Sequence, residues 1–76
     1  MDTGYWISDG KIYSPDGFTG YVINQDRRIV GARGYTRHWL FQGQIYSQKN
    51  GNTGFRVYDT RIHGPSGKPP WERPFN

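Results

Sequence analysis

Apolar and polar residues alternate along this chain in a phrase that comes round four times. Thr3-Gly4-Tyr5-Trp6-Ile7 returns as Thr19-Gly20-Tyr21-Val22-Ile23, as Thr36-Arg37-His38-Trp39-Leu40 and as Thr53-Gly54-Phe55-Arg56-Val57. The second half returns as Lys11-Ile12-Tyr13-Ser14-Pro15, Arg28-Ile29-Val30-Gly31-Ala32, Gln44-Ile45-Tyr46-Ser47-Gln48 and Arg61-Ile62-His63-Gly64-Pro65. The four threonines stand 16, 17 and 17 residues apart, and a fixed period governs the whole architecture. Inside each copy the period is 2, that of a strand, and no stretch has the period or length of a helix. Asp9-Gly10 sits between two β-rich runs, where a type I′ turn needs φ > 0 at both central positions. A two-residue loop sets the register: Ser8 opposite Lys11, Ile7 opposite Ile12, Trp6 opposite Tyr13. Ile7 and Ile12 then share one face with Tyr5, and Trp6 and Tyr13 occupy the other.

The same register pairs Leu40 with Ile45 around Gln42-Gly43, and Val57 with Ile62 around Asp59-Thr60. Copy two carries one extra residue in Asn24-Gln25-Asp26-Arg27-Arg28, which predicts a longer or bulged loop between Ile23 and Ile29. Pro15-Asp16-Gly17, Ala32-Arg33-Gly34 and Lys49-Asn50-Gly51-Asn52 supply turn chemistry between hairpins. The expected fold is all-β: four tandem β-hairpin repeats (residues 3–18, 19–35, 36–52 and 53–71), giving about eight short antiparallel strands and no significant helix. A lone hairpin is marginal in water, so each copy needs its neighbours. A pseudo-four-fold small barrel or flower brings Ile7, Ile12, Ile23, Ile29, Leu40, Ile45, Val57 and Ile62 into one core and removes exposed edges. The ending Gly64-Pro65-Ser66-Gly67-Lys68-Pro69-Pro70-Trp71 changes character, because proline fixes φ and removes donors. It is expected to be irregular, with Trp71 as a plug over one end of the array and a disordered tail over 72–76.

The Thr-Gly-aromatic phrase, the Asp-Gly turn, the Ile-Tyr-Ser/Gly-Pro close and the Gly64-to-Trp71 ending together resemble the small bacterial "β-flower" repeat proteins. That resemblance covers residues 3–71 and implies a fold without implying a reaction. A weaker similarity, to the choline- and glucan-binding hairpin repeats, rests on Thr-Gly-Trp and Trp-Tyr pairs. Those repeats are nearer 20 residues and keep their aromatics in every copy, whereas here only copies one and three do.

Composition narrows the picture. With 76 residues and 33% hydrophobic positions, the chain has little core to spare, and domains of this size lean on disulfides, metal or oligomerisation. There is no cysteine and there are only two histidines, so disulfides are excluded and no metal is expected. Self-association as a dimer or higher is the staple that remains. No apolar run reaches the ~18 residues of a membrane span and no leader follows Met1, so a cytoplasmic protein without membrane partners is expected, and no cofactor is implied. The net charge of +4 comes from seven arginines and three lysines against six acids. Arginine suits planar recognition of phosphate and carboxylate.

Chemistry is sought where the phrase breaks. On the face opposite the isoleucines, copies one and three place Trp6/Tyr13 and Trp39/Tyr46, while copies two and four place Val22/Val30 and Arg56/His63. Such aromatic pairs serve as ligand platforms, as a second core layer or as a subunit interface. Arg27, Arg28, Arg33 and Arg37 cluster around Tyr35 and Trp39 as a basic patch with interleaved aromatics. Arg37 and Arg56 are copy-specific and therefore more telling than cations shared between copies. Asp9, Asp26 and Asp59 answer to turn geometry, and His38 and His63 fill slots that are aromatic or aliphatic in sister copies. No catalytic constellation emerges. The expectation is a non-enzymatic binding protein for an anionic ligand, either nucleic acid or a nucleotide-like molecule. The alternatives are a protein-partner module or inhibitor anchored by Trp6, Trp39 and Trp71, and a carbohydrate binder using the Trp/Tyr pairs. Size and charge suit a bacterial or phage accessory protein that captures or blocks something, for example in host defence.

Overall fold

The computed structural model describes residues 1–72. Eight strands follow one another: β1 (Asp2–Ser8), β2 (Lys11–Ser14), β3 (Gly17–Ile23), β4 (Arg28–Gly31), β5 (Gly34–Phe41), β6 (Gln44–Ser47), β7 (Gly51–Tyr58) and β8 (Arg61–His63). Each is antiparallel to the next, and β8 returns to β1, so the meander closes into a barrel. Closure leaves no free edge, and eight strands enclose a space that side chains just fill. The expected all-β, four-hairpin barrel is what the chain forms.

Within copies the register is the one the turns dictate. Trp6 lies opposite Tyr13, Ile7 opposite Ile12, Leu40 opposite Ile45 and Val57 opposite Ile62. The two central tip residues are left-handed at Asp9-Gly10 (φ 53° and 76°), Gln42-Gly43 (50° and 78°) and Asp59-Thr60 (53° and 65°), as a type I′ turn requires. Copy two spends its extra residue on a wider tip. The Asn24 carboxamide accepts from the Asp26 and Arg28 N–H groups, and Arg27 takes the left-handed position at φ 66°.

Between copies a second rule operates, and it explains the recurring threonine. Thr3, Thr19, Thr36 and Thr53 donate their hydroxyls to the carbonyls of Ile62, Ile12, Ile29 and Ile45 at 2.7, 2.6, 2.7 and 2.7 Å. Each hydroxyl also accepts the N–H two residues on, from Tyr5, Tyr21, His38 and Phe55. The pairing register shifts at all four seams, and a bulge leaves backbone groups unpaired. The threonine hydroxyl satisfies them. At the tips, the carbonyls of Gly10, Arg27, Gly43 and Thr60 accept from Ile23, Leu40, Val57 and Ile7 of the following copy.

The interior is layered along the barrel axis. Ile12, Ile29, Ile45 and Ile62 form a sealed central layer at 0–1% exposure. Toward the tips, Ile7, Ile23, Leu40 and Val57 pack on that layer and stay partly exposed. Toward the other end stand Tyr5, Tyr21, His38 and Phe55, the residues after each threonine bulge, so His38 does occupy the slot of its sister aromatics. Trp71 covers this end, with ring centroids 6.1 Å from Tyr21 and 5.8 Å from His38. The plug expected of Trp71 is present, held on an irregular Gly64-to-Pro70 segment in which Pro69 is fully buried. Glu72 is described and donates its N–H to the Pro69 carbonyl; residues 73–76 of the expected tail lie outside the described residues.

Candidate functional site

Alternation along the strands sends one residue in two to the outer wall, and the Trp/Tyr pairs go there. Trp6 and Tyr13 stack at 5.7 Å with an interplanar angle of 11°, and Trp39 and Tyr46 at 6.0 Å and 11°. In a barrel of eight strands, β1/β2 and β5/β6 are four strands apart, so the two platforms lie on opposite walls. Phe18 tilts against Tyr13 at 5.7 Å, and Phe41 meets Tyr46 edge-on at 6.2 Å. The remaining two walls carry Val22 opposite Val30 and Arg56 opposite His63.

A four-fold rung of side-chain pairs crosses the seams beside these platforms. It joins the residue before each threonine to the residue before the buried isoleucine of the preceding copy. Lys11 lies over the Phe18 ring at 6.0 Å, and Arg28 over Tyr35 at 5.6 Å. The Asn52 carboxamide donates to Gln44, and Arg61 donates Nε to Asp2 at 2.7 Å. Hydrogen bonds from Arg61 and the Gly4 N–H hold the Asp2 carboxyl below the usual carboxylate range. Both partners are about half exposed, so the pair contributes little. Cations that recur at this position therefore join copies as well as charge the wall.

The wall of β4–β6 differs from the others. Arg28 faces Trp39 across the ladder and lies on Tyr35; Tyr46 and Phe41 extend the aromatic surface. Arg33 is in the β4–β5 turn, and Lys49 in the β6–β7 turn at the same end. Arg37 stands in the β5 bulge at φ 65°, where the other copies have Gly4, Gly20 and Gly54 at φ 81°, 89° and 85°. The bulge sets Gly4, Arg37 and Gly54 beside Pro15, Gln48 and Pro65 of their own copies. A Cβ on Gly4 would meet the Pro15 ring at 3.3 Å. In copy three the partner is Gln48, which gives its N–H to the Arg37 carbonyl at 3.0 Å, a bond no proline can make. Arg37 and Gln48 thus depart from the repeat together. From Arg27 to Tyr58 the chain contains no aspartate or glutamate, and six of its ten cations.

The proposed site residues are therefore only partly gathered. Arg28, Arg33, Arg37, Trp39 and Tyr46 share one wall and its adjoining end. Arg56 flanks it on β7, opposite Gln44. Trp6 and Tyr13 are on the far wall, and Arg27 points from the tip end. Tyr35, which the sequence placed in the basic patch, belongs to the gathered surface; Phe41 and Lys49 belong to it too and were not singled out from sequence, although the acid-free run marks both. At the Trp71 end a groove of about 780 Å³ runs between Arg33, Lys49 and Lys68 and the rings of Tyr21, His38 and Trp71, with Glu72 as its carboxylate. Burial raises the Tyr5 hydroxyl beneath, and the Glu72 and Asp16 charges add to that. Comparison with protein families, curated proteins and solved structures gives no match for this chain.

Proposed function

We propose that the protein is a non-enzymatic binding protein whose ligand is a single-stranded nucleic acid lying along β4–β6. The observation that carries this reading is the acid-free run from Arg27 to Tyr58, where Trp39 stacked on Tyr46 faces Arg28, with Arg37 and Lys49 at the adjoining end of the barrel. Single strands are held by cations that track phosphates and by rings on which successive bases stack, worth about 1–3 kcal/mol per base. An open wall suits a strand better than a small nucleotide, which a pocket would enclose on most of its surface.

Fluorescence anisotropy with a labelled ten-nucleotide oligothymidylate tests it. Four phosphate contacts, from Arg28, Arg33, Arg37 and Lys49, set a slope of log K against log salt near −3, at about −0.7 per contact on single strands. Trp39→Ala should weaken binding at least five-fold, while Trp6→Ala on the far wall leaves it intact. A flat salt response, or duplex of the same length binding as tightly as the single strand, overturns the reading. Equal loss from Trp39→Ala and Trp6→Ala would overturn its placement on one wall.

A further inference from the structure

The two ends of the barrel are finished differently. The chain supplies its own lid, Trp71, for the aromatic ring of Tyr5, Tyr21, His38 and Phe55. At the tip end Ile7, Ile23, Leu40 and Val57, one from each copy, line an open cup with Gly10, Arg27 and Thr60 at its rim. Its floor is the sealed layer of Ile12, Ile29, Ile45 and Ile62, so the cup is a single side-chain layer deep. A small molecule there would keep much of its surface in water, unlike ligands in formed pockets. A flat apolar disc with charges at its rim has instead the make-up of an association surface.

We infer that a second copy of this chain covers the cup, tip end to tip end. The rim charges are self-complementary. Asp9, Asp26 and Asp59 stand at three tips, the third copy's tip is the neutral Gln42-Gly43, and Arg27 is the one cation lining the cup among the described residues. A two-fold axis perpendicular to the barrel axis reverses the order of tips in the facing copy. Setting tip two over tip one brings the partner's Asp9 against tip two twice per dimer, where the cup-lining Arg27 faces it and offsets the neighbouring Asp26. The same rotation sets Asp59 against the neutral tip twice, so Asp59 faces no acid. The two smaller extents of the molecule are 27 and 25 Å, so a whole end face, rim included, offers at most roughly 500 Å² per partner, short of the ~800 Å² of a standard interface. The contact is therefore of the weak, transient kind.

Sedimentation velocity from 1 µM to 1 mM, without nucleic acid, tests this independently of the wall. The expected result is a monomer–dimer equilibrium. Leu40→Glu should abolish it, since a carboxylate then sits in the apolar disc above an untouched floor. Arg27→Asp should weaken it at least ten-fold, and Arg27→Asp with Asp9→Arg should restore it, circular dichroism verifying the fold of each variant. A monomer at every concentration overturns the inference. So does a dimer that survives Leu40→Glu, or one lost on Trp39→Ala, which would place the contact on the wall.

Discussion

Replacing Arg37 by glycine, the residue its sister copies use, should move stability and binding in opposite directions. Arg37 holds φ 65°, and a residue with a Cβ in the left-handed region costs about 1–2 kcal/mol relative to its ordinary conformations. Glycine removes that strain but returns about 0.5–1 kcal/mol through the greater freedom of the unfolded chain. The side-chain link from Arg37 Nη1 to Gln48 Oε1 is 3.5 Å and exposed, so it contributes almost nothing. The Gln48 N–H to Arg37 carbonyl bond is kept, being backbone to backbone. The net gain is about 0.5–1 kcal/mol, or roughly 3–5 °C in Tm for a domain this small. Binding loses one phosphate contact. At 0.15 M salt that is about a four-fold loss of affinity, with the salt slope shallower by about 0.7. Thermal denaturation by circular dichroism and anisotropy titration at three salt concentrations read both effects. A lower Tm would show that Arg37 supports the bulge instead of straining it. Unchanged affinity and slope would remove it from the binding surface.

Other substitutions test the packing and the seams. A Cβ on Gly64 would lie 1.9 Å from the buried Phe55 ring, so Gly64→Ala should cost about 3 kcal/mol by overpacking, measured by urea denaturation. A near-neutral result would mean that the ring can swing away. Trp71→Ala uncovers the Tyr21 and His38 rings and should cost about 2–3 kcal/mol, seen as a lower Tm. Thr36→Val strips the Ile29 carbonyl and the His38 N–H of one partner together and should cost about 1–3 kcal/mol, again by urea. The Asp2 carboxyl is depressed below its ordinary 3.8 by Arg61. Its contribution is therefore full above that value and lost as pH falls through the lowered one. The small Tm difference between wild type and Asp2→Asn should be constant at neutral pH and vanish in acid.

The elements and within-copy registers were legible because Asp9-Gly10, Gln42-Gly43 and Asp59-Thr60 dictate them locally. What lies across the seams was hidden. Thr36 meets Ile29 only after a bulge displaces the ladder, and strand alternation carries no record of a bulge. Alternation also assigned Ile7 and Ile12 to one face correctly without separating their depths. Position along the barrel axis, which seals Ile12 and leaves Ile7 at an open end, depends on how all four copies close. The same gap affected the site. Arg27 and Arg28 are neighbours in sequence, yet one belongs to the tip end and the other to the wall. Trp6 and Trp39 read alike but face opposite ways. His38 and Trp71 were placed correctly because the repeat itself defines the slot and the end it plugs.

The threonine stitch reaches across each seam for a main-chain carbonyl, so this join does not depend on the Trp/Tyr, Val/Val or Arg/His pair that faces outward in each copy. The wall is consequently uncoupled from the ring that supports it. A pair such as Trp39/Tyr46 can stand in one quadrant while Val22/Val30 or Arg56/His63 stand in the next, with the closure unchanged. A fold assembled this way is a four-sided display, each side open to independent rewriting by evolution or by a protein engineer. Grafting the third copy's outward residues onto Val22 and Val30 would add a further surface to the same ring.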